Sequence, residues 1–381
     1  MSLPDFDLDD SALRAAGSVK WTYGGPGVLP AFIAELDVAP CPEVTAALHD
    51  AVDRGAFGYP ALDPSTGLPE ATAAFFEQRF GWALDPALVL STGDVMAGAM
   101  LVMRHLCAPG GVVVPVPSYP PFLVSVPYCD RELVPVPMIE DGGYRLDLER
   151  IDAELAAGAR TVLLANPHNP TGRVFSRAEL ENLRDVVVRR GARVISDEIH
   201  APLVFGGRTH VPYATLEGTA DHVTTLVAAS KAWNMPGLKC AQIVFGSRAG
   251  LATVQREARI ANHGVSPLGV IATIAAYTHG HEWLDGLVAY LEDRRSQLDE
   301  LLAAHLPQIS WVRPEATYLA WLDARPLGLD DPAAVALERA QVFPQSGGLF
   351  GSGYEGFLRL NFGTSAERLE RIVKALASAW L

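Results

Sequence analysis

The sequence predicts an α/β protein with a mainly parallel sheet covered by helices, together with a second, smaller α+β domain. Short apolar runs repeatedly end in polar or glycine-containing loops that lead into helix-like segments. One helix with clear start and stop signals separates two of these runs. After about residue 280 this alternation gives way to a long amphipathic helix and strand-like runs.

The predicted strands of the first domain are short and rich in β-branched residues. They are TVLLA (161–165), ARVIS (192–196), HVTTLVAA (222–229) and AQIVFG (241–246). A helix lies between the first two, with Ser176 as its N-cap, Glu179 completing a capping box and Gly191 as its stop. This strand, helix, strand unit predicts parallel strands.

The C-terminal part predicts the smaller α+β domain. It contains a long amphipathic helix (282–305) followed by the strand-like runs TYLAWLD (317–323) and FLRLNF (357–362). The N-terminal segment is expected to pack against this domain. The predicted boundaries are 46–279 for the large domain, and 1–45 with 280–381 for the small one.

Composition excludes several classes of protein. The chain has 381 residues, 49% of them hydrophobic and 19% charged, and a formal net charge of −14. Without a basic run, this charge gives no support to a nucleic-acid partner. No uncharged apolar run reaches the ~18 residues of a membrane span. The protein is therefore expected to contact neither nucleic acid nor membrane.

The cysteines and the N-terminus predict a reducing, cytoplasmic location. The N-terminus is acidic and lacks the pattern of a signal peptide. No C-x-x-C pair suggests a zinc site or a disulfide framework. The four scattered cysteines are Cys41, Cys107, Cys129 and Cys240.

Familiar catalytic motifs are absent. The sequence has no ATPase-type phosphate loop, no G-x-S-x-G and no H-E-x-x-H. The glycine-rich GGLFGSG (347–353) does not join a strand to a helix, so it predicts a flexible loop. Asp197 and His200 could bind a metal, but no second cluster at ligand spacing supports them, so no metal is expected.

Two lysines suggest carbonyl chemistry. Ligands of parallel sheets bind beyond the carboxyl ends of the strands, and Lys231 follows such a strand. A lysine amine with a lowered pKa can attack a carbonyl, whereas arginine cannot; the alternative is a solvated lysine. Lys239 nearby suits a phosphate. An imine-forming lysine beside a phosphate site indicates pyridoxal 5′-phosphate (PLP).

Other residues could complete a PLP site. Asp197 could face the pyridine nitrogen, or it could simply cap a helix. Asn169 could bind the phenolic oxygen of the ring. Tyr119 could stack on the ring, or it could merely stiffen a proline-rich turn.

Three motifs carry a family resemblance. NPHNPTG is followed by SDEIH, 28 residues on from Asn169 to Asp197, and SKAWNMPGLK places Lys231 a further 34 residues on. This order resembles the PLP-dependent transferases of fold type I, which implies a mainly parallel seven-stranded sheet in the large domain. Within them the chain is similar to the MalY/PatB branch of cystathionine β-lyases, or carbon–sulfur lyases. Further support comes from FGYP, PSYPPF, HEWLDGLVAYLEDRR, TYLAWLD and GFLRLNFG, between about residues 20 and 363.

The resemblance implies a role for each matching residue. Lys231 would be the catalytic residue and would hold PLP covalently. The other implied cofactor contacts are Tyr59, Gly93, Asp94, Val95, Tyr119, Asn169, Asp197, His200, Ser230 and Lys239. The implied substrate contacts are Ala34, Tyr119, Asn169 and Arg359, which would clamp the substrate carboxylate.

Part of the implied site concerns the phosphate and a neighbouring subunit. Ser230, Lys239 and the backbone of Gly93–Asp94–Val95 would hold the phosphate. Tyr59 would reach the phosphate of the other subunit, which implies a homodimer with shared active sites.

Two segments depart from this pattern. Where the branch commonly reads W-V-A-D-M-D, the chain has FIAELD (32–37), a segment that usually faces the substrate side chain. Asp94 stands where a small apolar residue is common near the phosphate, so its side chain is expected to point away. The NFGTS stretch also differs from the usual sequence of the branch.

The resemblance implies cleavage of L-cystathionine or related cysteine S-conjugates to pyruvate, ammonia and a thiol. His200, where many aminotransferases have tyrosine, favours a lyase. An aminotransferase with the same cofactor residues is the alternative. A PLP-binding regulatory protein is a third, although no DNA-binding helix-turn-helix extension is evident.

Overall fold

A computed structural model describes residues 6–59, 65–261 and 264–381 of the chain. Pro60 of the FGYP stretch and the first five residues of the predicted small domain lie outside the described residues. The strands are β1 (Leu29–Pro30), β2 (Val89–Thr92), β3 (Val112–Val116), β4 (Leu133–Pro137), β5 (Ile139–Glu140), β6 (Tyr144–Arg145), β7 (Thr161–Ala165), β8 (Arg193–Asp197), β9 (Val223–Val227), β10 (Ala241–Phe245), β11 (Ser310–Trp311), β12 (Leu319–Asp323), β13 (Val342–Phe343), β14 (Gln345–Ser346) and β15 (Phe357–Asn361).

Helices cover the sheets and fill the space between them. They are α1 (Asp10–Ala15), α2 (Val19–Thr22), α3 (Pro42–Asp53), α4 (Leu68–Phe80), α5 (Val95–His105), α6 (Pro120–Tyr128), α7 (Leu148–Ala157), α8 (Arg177–Arg190), α9 (Arg248–Ala261), α10 (Pro267–His279), α11 (His281–His305), α12 (Pro332–Ala340) and α13 (Ala366–Trp380). Among the described residues, no helix is both long and apolar enough to cross a membrane.

The central sheet has seven strands in the order β2-β10-β9-β8-β7-β3-β4. Only β10 runs antiparallel to its neighbours, β2 and β9, and the remaining pairings are parallel. Its inner strands β3, β7 and β9 are buried at every position, as expected for a sheet covered on both faces. The predicted mainly parallel sheet and its fold type are confirmed.

The β7–α8–β8 unit matches the sequence prediction closely. Ser176 accepts a hydrogen bond from the N–H of Glu179, whose carboxylate reaches back to the Ser176 N–H, so the capping box is present. Gly191 ends the helix with φ of 60°, in the left-handed region that glycine adopts without strain. These local signals set both ends of α8, the helix that connects β7 to β8.

A second sheet, in the order β11-β12-β15-β14, is antiparallel. Its strands β12 and β15 lie in the predicted strand-like runs TYLAWLD and FLRLNF, and it follows the predicted long helix, α11. The prediction of a flexible loop at 347–353 is wrong. Gly347–Phe350 forms a 3₁₀ turn, with Phe350 fully buried against Trp321. The Phe350 carbonyl accepts a hydrogen bond from the Ser118 N–H, so this turn joins the two sheets.

Candidate active site

The carboxyl ends of β2, β3, β7, β8 and β9 lie at one edge of the central sheet, because β2 and β9 both run antiparallel to β10. Ala165, the last residue of β7, lies opposite Asp197, the last residue of β8. The N–H of Asn166 donates to the Asp197 carbonyl over 2.9 Å. Strand register therefore brings the polar residues of two separate motifs, NPHNPTG and SDEIH, together.

Lys231 lies in the turn after β9, and its amine points at the FIAELD segment. Its Nζ donates to the carbonyl oxygen of Ala34 over 2.8 Å, and the Tyr318 hydroxyl donates to the same oxygen over 3.0 Å. Burial, reinforced by the positive charge of Arg359, lowers the pKa of Lys231 to about 8. The amine is therefore a usable nucleophile and base near neutral pH.

Asp197 is a buried carboxyl at the end of β8. It accepts a hydrogen bond from the N–H of Ile199 over 3.1 Å. Burial, with a smaller contribution from the charge of Glu198, raises the pKa of Asp197 to about 7, although the Ile199 bond acts in the opposite direction. A cationic partner would stabilise the ionised form of this carboxyl, and a protonated ring nitrogen would be such a partner.

Arg359 enters the site from β15 of the second sheet. Its Nη1 donates to the Asn169 Oδ1 over 3.1 Å and its Nη2 to the Phe32 carbonyl over 2.7 Å, with Gln345 as a further acceptor. Its Nε is buried and has no hydrogen-bond partner within the part of the chain that the structure describes. Since Asn169 uses its oxygen for Arg359, its amide N–H₂ is the group left to donate into the site.

His200 and Tyr119 complete the region between Asp197 and Arg359. Burial, together with the charges of Lys231 and Arg359, lowers the pKa of His200 to about 3, so its ring is neutral. The Nδ1 of His200 is buried, and none of the residues described by the structure forms a hydrogen bond with it. Burial raises the pKa of Tyr119. The charge of Arg359 lowers this pKa and that of Asp197 raises it, so both groups act on the phenol.

The residues assigned to the phosphate form a second cluster. Gly93 precedes α5 where space is tight, because a Cβ there would lie 3.0 Å from the Gly264 carbonyl. Asp94 is the N-cap of α5, and the N–H of Val95 opens the helix. Lys239 lies eight residues beyond Lys231, and the half-buried Ser230 directly precedes Lys231.

The Asp94 side chain differs from its expectation. It was expected to point away from the phosphate residues, but its Oδ2 lies 2.9 Å from the Lys239 Nζ. The reason is local, since aspartate is a strong N-cap and α5 begins directly beside Lys239.

The backbone of the FIAELD segment is bound by several residues that the sequence did not single out. Asn361 donates to the carbonyls of Ile33 and Glu35. Asn234 both donates to the Leu36 carbonyl and accepts from the Leu36 N–H, at 2.8 Å each. Lys20 and Tyr318 bind the carbonyls of Glu35 and Ala34. Asn234, Asn361 and Tyr318 lie inside the stretches SKAWNMPGLK, GFLRLNFG and TYLAWLD, but none of the three was assigned a role from the sequence.

Ala34 and Tyr59 occupy contrasting positions. Ala34 is buried, and its carbonyl holds the Lys231 amine rather than lying open to a substrate. Tyr59 is 93% exposed, at the surface of the single chain and not among the buried site residues.

The arrangement fits PLP and an amino acid. A buried amine, a buried carboxyl and a cluster suited to phosphate match the aldehyde, ring nitrogen and phosphate of PLP. Two polar atoms at the site, Arg359 Nε and His200 Nδ1, are buried and have no hydrogen-bond partner among the described residues. Buried polar groups rarely stay unpaired, so both atoms indicate that the site takes a polar ligand.

The fold and the site define the class as an α/β protein with the architecture of fold type I. The chain belongs to the class I and II aminotransferase family, whose model matches residues 33–376.

Similar proteins include cystathionine β-lyase from Corynebacterium glutamicum, 37% identical, with 96% of this chain and 97% of that protein covered. Another is cystathionine β-lyase PatB from Bacillus subtilis, 33% identical, with 98% and 99% covered. The solved PLP-bound C–S lyase from Staphylococcus hominis matches with a TM-score of 0.92 at 26% identity, over 100% of this chain and 98% of that one.

Proposed function

We propose that the protein is a PLP-dependent carbon–sulfur β-lyase that cleaves L-cystathionine or a related cysteine S-conjugate to pyruvate, ammonia and a thiol. The observation that carries this proposal is the meeting of the Lys231 amine with the buried side chains of Asp197 and Arg359 in one site. Full-length similarity to proteins named cystathionine β-lyase supports the choice of reaction.

The residues that would hold PLP follow from the site. Lys231 would bind its aldehyde carbon, Asp197 its ring nitrogen and Asn169 its phenolic oxygen, with Tyr119 against the ring. Lys239, Ser230 and the backbone N–H groups of 93–95 would bind the phosphate. When bound, PLP supplies an electron-withdrawing ring that takes up the electron pair released when the α-proton of the substrate leaves.

The chain itself would orient the substrate and move the proton. The planar guanidinium of Arg359 suits a bidentate grip on the α-carboxylate, using its free Nε. The Lys231 amine, held beside the Ala34 carbonyl, would remove the α-proton. Positioned proton transfer of this kind contributes about 10²- to 10⁴-fold in rate. The β-sulfur would then depart as a thiolate. Hydrolysis of the remaining three-carbon part of the substrate would give pyruvate and ammonia.

An aminotransferase is the second candidate, favoured by the description of the matched family. It would need the same anchor, carboxyl and arginine. The two reactions differ in what happens after the α-proton leaves, since transamination returns a proton to the cofactor and requires a keto acid.

The test is an assay of PLP-loaded protein with L-cystathionine and no keto acid, following pyruvate and free thiol together. The proposal expects equal release of both, abolished in Lys231→Ala. Turnover that strictly requires a keto acid would identify an aminotransferase and contradict the lyase proposal.

We also propose that two chains pair as a homodimer with shared sites, in the cytoplasm. The exposure of Phe57 and Tyr59, at 67% and 93%, supports a partner surface at these two residues. All four cysteines are buried thiols, which suits a reducing compartment.

A further inference from the structure

The Asp94 carboxylate lies across the end of the site that would take the phosphate. Its Oδ1 accepts a hydrogen bond from the N–H of Ala97 over 2.8 Å, in the first turn of α5. Its Oδ2 lies 2.9 Å from the Lys239 Nζ. A helix N-terminus and a lysine are the groups that bind phosphates. Asp94 therefore already engages both of them.

This carboxylate is an anion at neutral pH. Partial burial alone would raise its pKa, but the Ala97 hydrogen bond and the Lys239 ammonium together lower the pKa of Asp94 below its ordinary value. The negative charge of Asp94 also contributes to the raised pKa of the Tyr119 phenol. This interaction connects the phosphate cluster to the ring side of the site. A phosphate and a carboxylate bound to the same lysine repel each other.

We propose that Asp94 is an internal competitor of the cofactor phosphate, so that PLP binds only by displacing this carboxylate from Lys239. The inference rests on the proposed PLP-dependent function. It adds that the Asp94 carboxylate weakens the binding of the cofactor at its phosphate. Hydrogen bonds to charged groups correspond to a factor of roughly 10 in binding. Removal of the charge should therefore tighten PLP binding about tenfold.

The test compares the dissociation constant of PLP, measured by equilibrium dialysis, for the wild type and Asp94→Asn. Asparagine caps helices as well as aspartate does, so the variant loses the negative charge and keeps the cap. Asp147→Asn is the matched control, because Asp147 caps α7 in the same way, accepting from the Arg150 N–H. A second variant, Asp94→Ser, also keeps a capping oxygen and serves if the first does not fold.

Pyridoxal, which lacks the phosphate, separates the phosphate effect from general changes in the site. The expected result is a PLP dissociation constant about tenfold lower in Asp94→Asn, with that of pyridoxal unchanged and Asp147→Asn like the wild type. An unchanged or higher PLP dissociation constant in Asp94→Asn would overturn the inference while leaving the proposed function intact. Failure of every variant and the wild type to bind PLP would overturn both.

Discussion

Burial decides the charge of the ionisable side chains at the site. It moves Lys231, Asp197 and His200 toward their neutral forms, with pKa values of about 8, 7 and 3. Arg359 keeps its charge near neutral pH, although burial lowers its pKa to about 10. The site therefore offers one fixed cation for a carboxylate and one amine that loses its proton within a useful pH range.

Asp197→Asn should stabilise the cofactor-free protein against unfolding but weaken its binding of PLP. A carboxyl whose pKa rises on folding, here from 3.8 to about 7, adds stability below 3.8 that is lost as the pH rises through about 7. Removing its charge should raise the free energy of unfolding of the cofactor-free protein at about pH 8 by on the order of 2–4 kcal/mol, and by less at about pH 5.

The same substitution should weaken PLP binding, because the ring nitrogen loses its anionic partner. Urea unfolding at both pH values and PLP titration measure the two effects, with the exposed Asp50→Asn as the control. A loss of stability of the cofactor-free protein at about pH 8 would show that burial does not govern this carboxyl.

Arg359→Lys should impair substrate binding even though it keeps the positive charge. Lysine cannot make two parallel hydrogen bonds to a carboxylate. We expect kcat/KM for L-cystathionine to fall by about 100-fold, mainly through KM. The matched control is Arg325→Lys, whose guanidinium stacks on Phe357 in the same sheet but is 55% exposed. Equal kinetics in Arg359→Lys and the wild type would exclude the carboxylate grip.

At the scale of elements, the FIAELD segment is held by side chains rather than by a long strand pairing. The Asn361 amide donates over 2.7 Å to Ile33 and 2.6 Å to Glu35, and its oxygen accepts from the Gly363 N–H over 2.8 Å. Arg359 and Lys231 bind the carbonyls of Phe32 and Ala34 in the same segment. The segment is thus tied to the two main functional side chains.

Asn361→Ala should destabilise this segment and the whole chain. It leaves the Gly363 N–H without its acceptor, which costs about 1–3 kcal/mol. It also removes one donor each from the carbonyls of Ile33 and Glu35, which keep the Glu35 N–H and Lys20 as partners, at roughly 0.5–1.5 kcal/mol for each lost bond. With partial relaxation, we expect a loss of about 2–5 kcal/mol in the free energy of unfolding. Urea unfolding measures it, with the exposed Asn182→Ala as the control. A change as small as that of the control would contradict the bracing role of Asn361.

The elements that sequence predicted well carry local signals. TVLLA matches β7 residue for residue, and the capping box and Gly191 set the ends of α8. Contacts between distant segments could not be predicted, because Asn234 and Tyr318 reach Leu36 and Ala34 from 198 and 284 residues away. The prediction of a flexible loop at 347–353 is wrong because it rests on the glycines alone, whereas burial of Phe350 orders the turn at 347–350.

At the scale of the whole molecule, we propose that the two sheets belong to separate domains with the predicted boundaries 46–279, and 1–45 with 280–381. The central sheet lies within residues 89–245 and the antiparallel sheet within 310–361. The site lies between them, because Lys231 and Asp197 come from the first and Arg359 from the second. Sites at such a junction can close when the two units move together.

Sharing of the site between two subunits can be tested by mixing inactive variants. Tyr59→Ala and Lys231→Ala should each be impaired alone, the first through weaker phosphate binding. If Tyr59 completes the site of its partner, a mixed dimer contains one intact site. We expect activity to return when the two variants are unfolded and refolded together, measured as pyruvate release. No recovery in a verified mixed dimer would exclude sharing through Tyr59.

The most direct test of the central claim is reductive trapping of PLP on the protein with borohydride, followed by peptide mass spectrometry across a range of pH. The account predicts one PLP on Lys231, with a rate of labelling that rises with pH through about 8, the pKa of the buried amine. Labelling of Lys20, Lys239 or Lys374 in place of Lys231, or a midpoint near the ordinary lysine value of 10.5, would contradict it.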